Sequence, residues 1–354
     1  MSAPPRQLAG LRPGCVLRPR PMLFSTTASP RISCIIPTLG RGSVVCETVR
    51  MLLAQTQPAH EIILVDQTAD HPALQKQTLA EWARQGVVIW HRQNEPNSSK
   101  ARNAGARIAT GDVLLFLDDD IRIGAEFLAA YANVVRRSGA VGVCGPVFES
   151  NQQPVYKLED KVFNSELGWL LDFRKNYANE CETSFMMSGN VAIRRELFLA
   201  LGGMDENYER GAHREESDFA MRFRQAGYRL WYDPKCAIHH LGQKIVPGGG
   251  ARDGSHGKDF RYFHHCVGDW YFNLKFATIK TLFPLLRGSL RHFVFNRQTL
   301  ERPWRFPIAL MYWFLGLPCA AVKRFGGAKL MSDAGRNDGT QSSRFPEVRL
   351  QKRG

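Results

Sequence analysis

No two of the eight cysteines stand near one another. They fall singly at positions 15, 34, 46, 144, 181, 236, 266 and 319, and no CxxC pair exists. That spacing excludes a zinc knuckle and a thioredoxin-like redox centre and suits a reduced, cytosolic chain. Both common phosphate-binding fingerprints are missing as well: no G-x-G-x-x-G follows the first apolar run, and there is no G-x-x-x-x-G-K-[ST]. Any phosphate must be held by other means. The first 29 residues, rich in Pro and Arg, lack a continuous apolar segment, so they do not read as a secretory signal and are expected to form a disordered basic arm. Acidic residues are scarce at both ends. Residues 1–31 hold five Arg and no acid, and residues 250–354 hold eighteen Lys or Arg against seven Asp or Glu. The net charge of +14 therefore sits in the ends, while the middle is close to neutral. A nucleic-acid-binding core would itself be basic, so nucleic acid is not an expected partner. Basic ends suit an anionic surface such as a membrane leaflet.

What is present is an ordinary globular middle. The 354 residues are 44% hydrophobic and 23% charged, enough for one large domain or for one domain plus an appendage. From residue 31 short apolar runs alternate with helical spacing. Ile32 to Ile36 reads as a strand ended by Pro37, with Cys34 as a small core residue, and Val45, Val49, Leu52 and Leu53 read as a helix face. Glu61–Asp66 and Val87–Trp90 are the next strands. Asn97, Ser98 and Ser99 are expected to cap a helix running to Ile108 and closed by Gly111, and Val113–Leu117 is a fourth strand. Alternation of this kind predicts an α/β domain with a mainly parallel sheet.

Polar residues fall at telling places. Thr38, Asp66 and Asp118-Asp119-Asp120 lie at or just past the C-terminal ends of strands. In a parallel sheet those ends share one edge, and ligands bind in the crevice outside it. Clustered carboxylates raise one another's pKa unless a cation offsets them. An Asp-x-Asp pair at such an edge therefore points to a hard divalent ion, shared between one or two carboxylates and substrate phosphates.

Five segments, in order, resemble the family 2 glycosyltransferases of GT-A fold: Ile36 to Arg41, Glu61 to Asp66, Lys100 to Gly105, Asp118 to Asp120, and Glu215 to Asp218. The resemblance covers about residues 31–245. It implies an inverting enzyme that takes its sugar from a nucleotide-diphosphate donor. It implies that Thr38, Arg41, Asp66 and Arg102 hold the nucleotide, with Asp66 and Arg102 near the base. By the same resemblance Asp118 contacts the ribose or a metal-bound water, Asp120 holds Mn²⁺ or Mg²⁺, and His240 stands on the metal or diphosphate. Gly189 and Asn190 are implied to line the sugar pocket. The turn Gly202-Gly203-Met204-Asp205-Glu206 also matches the family, and its glycines suggest a structural role. Where the family has Glu-Asp-x-Asp, this chain has Glu215-Glu216-Ser217-Asp218, which leaves Glu216 and Asp218 both open as the base. Phe219, Phe223 and Ala226 are expected to be the buried face of the helix that follows, with Gly227 closing it.

Past residue 245 the resemblance thins. Residues 246–330 read as a basic loop, with His256, Lys258 and Arg261 suited to closing over phosphates, and then a helical extension; 331–354 read as a polar tail. Phe306 to Val322 is an uncharged stretch flanked by Arg302, Arg305, Lys323 and Arg324. At ~1.5 Å per residue it falls short of a ~30 Å hydrocarbon core, and Pro307 and Pro318 disfavour a straight span. A peripheral contact through 302–324, at the inner face of the cytoplasmic membrane, is the expectation. The acceptor is then expected to be a saccharide or a lipid-linked molecule of the cell envelope. Two rivals are a sugar nucleotidyltransferase, whose Gly-rich, Arg-containing first loop is missing here, and a non-catalytic membrane-binding relative.

Overall fold

A computed structural model describes residues 29–149, 152–156, 176–183, 186–209, 213–241 and 260–331. The expected basic arm, most of the expected phosphate-closing loop with His256 and Lys258, and nearly all of the polar tail lie outside those residues.

The strands and helices alternate as the spacing predicts: β1 Ile32–Thr38, α1 Ser43–Leu53, β2 Glu61–Asp66, α2 Ala73–Arg84, β3 Ile89–Arg92, α3 Ser98–Ile108 and β4 Val113–Leu117. There follow β5 Ile121–Arg122, α4 Phe127–Ser138, β6 Gly142–Cys144, β7 Val147–Glu149, β8 Cys181–Thr183, β9 Asn190–Arg194, α5 Arg195–Ala200, α6 Glu215–Gln225, β10 Leu230–Tyr232 and β11 Ile238–His240. Four helices end the described chain: α7 Phe260–Phe276, α8 Ile279–Phe293, α9 Arg297–Glu301 and α10 Phe306–Phe325.

The main sheet has the order β3-β2-β1-β4-β9-β6-β10-β8. Strands β3, β2, β1 and β4 are mutually parallel, and β9 runs antiparallel between β4 and β6. This is the α/β arrangement with a mainly parallel sheet that the alternation predicts. Both faces of this sheet are covered, so its strands are apolar without alternation. In β4, Val113, Leu115 and Leu117 enter one core cluster, and Leu114 and Phe116 the other. A smaller sheet, β5-β11-β7, stands beside the end of β4.

Local differences from the sequence reading have physical causes. Pro37 does not end β1; it pairs in register with Val65, past the last β4 partner at Ile35, where its missing N–H leaves no ladder bond unmade. The third strand starts two residues later than expected, at Ile89. Helix α3 is capped by Asn97, whose side chain accepts from the Lys100 N–H, and runs to Ile108 as expected, with Ala109 rather than Gly111 as its C-cap. Gly111 serves packing instead: a Cβ there would fall 2.5 Å from Ser33 Oγ and 2.7 Å from the Arg31 carbonyl. In α6, Phe219 and Phe223 are buried as expected, whereas Ala226 is exposed as the C-cap, followed by Gly227 at φ 87°.

The helices after residue 260 are not an appendage. Cys266, Val267, Trp270 and Tyr271 of α7 form one buried cluster with Phe293, Trp313 and Ala320, and Tyr208 of the α/β part lies inside it. Main-chain bonds close the junction: the Glu206 N–H donates to the Lys329 carbonyl and the Met331 N–H to that of Gly202.

Candidate active site

Strand register assembles the site at one edge of the main sheet. Leu117 of β4 pairs with Asn190 of β9, which sets Asp118 against Gly189; the Asp118 N–H donates to the Gly189 carbonyl at 3.2 Å. A Cβ on Gly189 would fall 2.1 Å from Asp118 Oδ2, so only glycine lets that carboxylate lie where it does. In the small sheet His240 pairs with Ile121 on one side and Glu149 on the other. That register brings its Nε2 to 3.0 Å from Asp120 Oδ1 and 3.9 Å from Asp118 Oδ2, with Nδ1 3.9 Å from Glu149. His239 faces away and stacks on Phe148.

The three aspartates have different surroundings. Asp119 is buried, accepts from Thr38 Oγ1 at 2.7 Å and pairs with Arg41 Nε at 3.2 Å. Burial pushes its carboxyl up to about 6 against the pull of the Arg41 charge. Asp120 is almost fully buried, 3.1 Å from Arg41 Nη2. Its separations from Arg41 and His240 are those of ion pairs, yet neither of its oxygens makes a hydrogen bond of good angle, and both ring nitrogens of His240 share that condition. Burial alone would depress the His240 pKa, but the carboxylates of Asp120 and Glu149, then Asp118, outweigh it and raise it to about 10. Asp118 keeps 23% of its side chain open to solvent.

Orphaned carboxylate oxygens beside a half-open carboxylate and an imidazole fit a hard divalent cation. Among the described residues no three His, Cys, Asp or Glu side chains already close a coordination set. An open arrangement is what a cation shared with substrate phosphates needs.

Arg102 links this group to α6. Its Nη1 pairs with Glu215 Oε1 at 2.6 Å and its Nη2 lies 3.6 Å from Asp118 Oδ1. Arg102, expected beside Asp66 near the nucleobase, has its guanidinium on Glu215 of α6 and near Asp118. Glu215 is buried and further accepts from Ser98 Oγ and Ser99 Oγ at 3.0 and 2.7 Å. Ser188 Oγ reaches Glu216 Oε2 at 3.1 Å and Glu215 Oε1 at 3.3 Å. Glu216 is half-buried at the first turn of α6, where the helix dipole favours a carboxylate.

Three further expectations change. Asp218 has no exposure; Arg222 Nε holds one oxygen at 2.8 Å, while Lys275 Nζ and Tyr208 Oη hold the other. It joins α6 to α7 and is not placed to meet an acceptor. Asn190 does not line a sugar pocket: it is fully buried, donates to the Pro146 and Cys236 carbonyls, and accepts from Tyr131 Oη. Asp66 is at the expected edge but saturated, accepting from His71 Nε2, Trp90 Nε1, Arg92 Nη1 and the Thr68 N–H. Burial would raise its pKa; those donors, led by His71, hold it below the ordinary value. The Gly202–Glu206 turn is structural as expected, with Asp205 accepting from Lys275 and Tyr271.

The sequence model described as Glycosyl transferase family 2 matches residues 33–202. Residues 33–202 are a family 2 glycosyltransferase domain. Polypeptide N-acetylgalactosaminyltransferase 10 of Homo sapiens is 26% identical over 235 residues, 62% of this chain and 39% of its own length. Glucosyl-dolichyl phosphate glucuronosyltransferase of Haloferax volcanii is 26% identical over 203 residues, covering 55% of this chain and 63% of that protein. The chain thus spans well under two thirds of the polypeptide transferase and slightly under two thirds of the other. Two solved structures share the fold at 16% identity: GalNAc-T7 with UDP, GalNAc and Mn²⁺ (TM-score 0.53, 86% of this chain and 59% of that one), and S. aureus TarS 1-349 with UDP-GlcNAc (0.52, 81% and 82%).

Beyond the matched residues, α7 completes the setting of α6. Arg214, its N-cap, has φ 73°, the one positive φ outside glycine among the described residues. Its Nε pairs with Asp269 of α7 at 2.9 Å, and its guanidinium lies 5.6 Å from the ring centroid of Phe272. Although burial would raise the Asp269 pKa, Arg214 and His213 hold it well below the usual carboxylate range. Neither Ser188 nor Asp269 was legible as part of the site. Ser188 has only its place before Gly189 to mark it, and Asp269 has no sequence signal, since its partner is 55 residues away.

Proposed function

We propose that this glycosyltransferase moves a sugar from a nucleoside diphosphate to an acceptor hydroxyl in a single displacement that inverts the anomeric centre. The observation that carries the reading is the state of Glu216. It is a half-buried carboxylate at the start of α6, oriented by Ser188 and joined through Glu215 and Arg102 to the aspartates. Glu215 and Asp218 are both committed to arginine or lysine.

In this reading Glu216 takes the acceptor proton as the acceptor oxygen bonds to the anomeric carbon and the bond to the diphosphate oxygen breaks. Arg102 neutralises Glu215, so that the neighbouring carboxylate does not oppose the ionised form that Glu216 needs before it takes the acceptor proton. Thr38 and Arg41 fix Asp119 and keep Asp120 aimed at the edge. Mn²⁺ or Mg²⁺ held by Asp118 and Asp120, with His240 beside them, would supply Lewis-acid neutralisation of the leaving diphosphate. The UDP, UDP-GlcNAc and Mn²⁺ of the two solved structures with this fold support that ligand class. For the acceptor we favour a saccharide or lipid-linked molecule of the cell envelope, as the names of the Haloferax relative and of the O-antigen biosynthesis protein RfbC of Myxococcus xanthus suggest (the latter 25% identical over 237 residues).

The test is turnover with UDP-, GDP- and dTDP-sugars, with Mn²⁺ and with EDTA. One donor class should release nucleoside diphosphate in a metal-dependent way, and Asp120→Asn should lower kcat at least ~100-fold. Release of pyrophosphate would identify a nucleotidyltransferase instead. A product with retained anomeric configuration would overturn the single displacement.

A further inference from the structure

Helix α10 offers solvent an apolar face along its whole length. Ala309, Trp313, Gly316 and Ala320 recur at helical spacing and are buried. The stripe lies on α7, where a Cβ on Gly316 would meet Cys266 and Trp270 at 3.2 Å, and Trp270 Nε1 donates to the Trp313 carbonyl at 2.7 Å. The opposite side carries Ile308, Met311, Phe314, Leu315, Leu317 and Val322, all exposed, Phe314 at 59% and Val322 at 72%. No charged residue interrupts that side between Arg305 and Lys323. A soluble monomer rarely exposes so continuous an apolar surface without a partner.

The charges around the face choose the partner. Arg302 and Arg305 stand before the helix, with Glu301 as the nearest acid in sequence, while Arg324 at its end donates to the Leu274 carbonyl of α7 at 3.4 Å. We propose that the outward face of α10 seats the protein on an anionic lipid leaflet, with the helix in the interface plane and Arg302 and Arg305 on lipid phosphates. Length and composition alone would let Pro303–Phe325 cross a bilayer. Its packing argues against that. α10 lies along α7, which carries the ion-paired Asp269 and Lys275, and Lys323 is tied to Glu209 and the Asn207 carbonyl. A spanning α10 would draw those groups into hydrocarbon, where ionised side chains are costly. A helix flat at the interface leaves them on the protein side.

The test is co-flotation of the full chain with vesicles of phosphatidylcholine containing about a third phosphatidylglycerol, at low salt. The protein should float with these vesicles and at least ~10-fold more weakly with phosphatidylcholine alone. Phe314→Asp with Leu315→Asp, at outward positions and checked for folding by circular dichroism, should remove binding. Should that variant fail to fold, Arg302→Glu with Arg305→Glu tests the charge term without touching the packed face. Folded wild-type protein that ignores anionic vesicles, or binds both kinds equally, overturns the proposal. So does a concentration-dependent dimer in sedimentation velocity that the Phe314→Asp, Leu315→Asp variant abolishes, which would make the face a contact between copies.

Discussion

Glu216 and Asp218 stand two positions apart in α6 and in opposite circumstances. Glu216 is half-buried beside Ser188, while Asp218 is wrapped by Arg222, Lys275 and Tyr208. Their amides should therefore fail in different ways. Glu216→Gln should lower kcat by ~10²–10⁴, the usual worth of a positioned base, and leave the thermal midpoint where it was. Asp218→Asn should take the carboxylate from Arg222 and leave Lys275 with Asp205 alone, at a cost of about 1–3 kcal/mol read as a fall in the denaturation midpoint. A stable, inactive Asp218→Asn variant would refute this assignment. Gly189→Ala should lower activity through displacement of Asp118, because the added methyl has no place beside that carboxylate. Much of this edge was legible in the sequence. Asp118 to Asp120 follow five apolar residues, and strand ends in a parallel sheet gather. The destinations of long side chains were not. Arg102 reaches Glu215 across 113 residues, and Asn190 is consumed by the Pro146 and Cys236 carbonyls, partners that no local spacing encodes.

At the scale of elements, the start of α6 depends on α7. A non-glycine residue with φ 73° is strained by about 1–2 kcal/mol, and the Asp269 pair offsets that strain at Arg214. Arg214→Gly and Arg214→Ala both lose the pair, but only Ala keeps the strain. The glycine variant should be more stable than the alanine variant by ~1 kcal/mol in chemical denaturation. The same junction should weaken in acid in two stages. His213 stacks on His265 and His292 beside Asp269 and Arg214, and burial holds its pKa below 6.5. As pH falls below ~6.5 the unfolded chain binds a proton that the folded chain resists, so stability drops. The depressed Asp269 carboxyl adds stability above its ordinary pKa, and that part is lost only as pH falls below ~4. Thermal midpoints across pH should show both stages, and Asp269→Asn should remove the lower one.

For the whole molecule, the C-terminal helical extension is packed into the α/β part and not merely tethered to it. Lys275 pairs with both Asp205 and Asp218, Lys323 binds Glu209, and Tyr208 lies in the helical cluster. A chain cut after residue 241 should lose cooperative unfolding by calorimetry; a folded, active fragment would restore the two-part view. Of the helices after residue 260 only the apolar stretch from Phe306 to Val322 was readable from composition, and its partners were not, because Asp218 and Lys275 are each ordinary surface types by sequence.

Lys275 also sets an order of events during synthesis. When a nascent chain has left the ribosome only as far as β11, Asp205 and Asp218 still lack their shared lysine, and the cluster around Tyr208 has no α7 to close it. The β-rich half can gather before then, since domains form as they emerge. The helix bearing Glu216 is held in place only after α7 is made, so the proposed base is set late, shortly before α10 emerges.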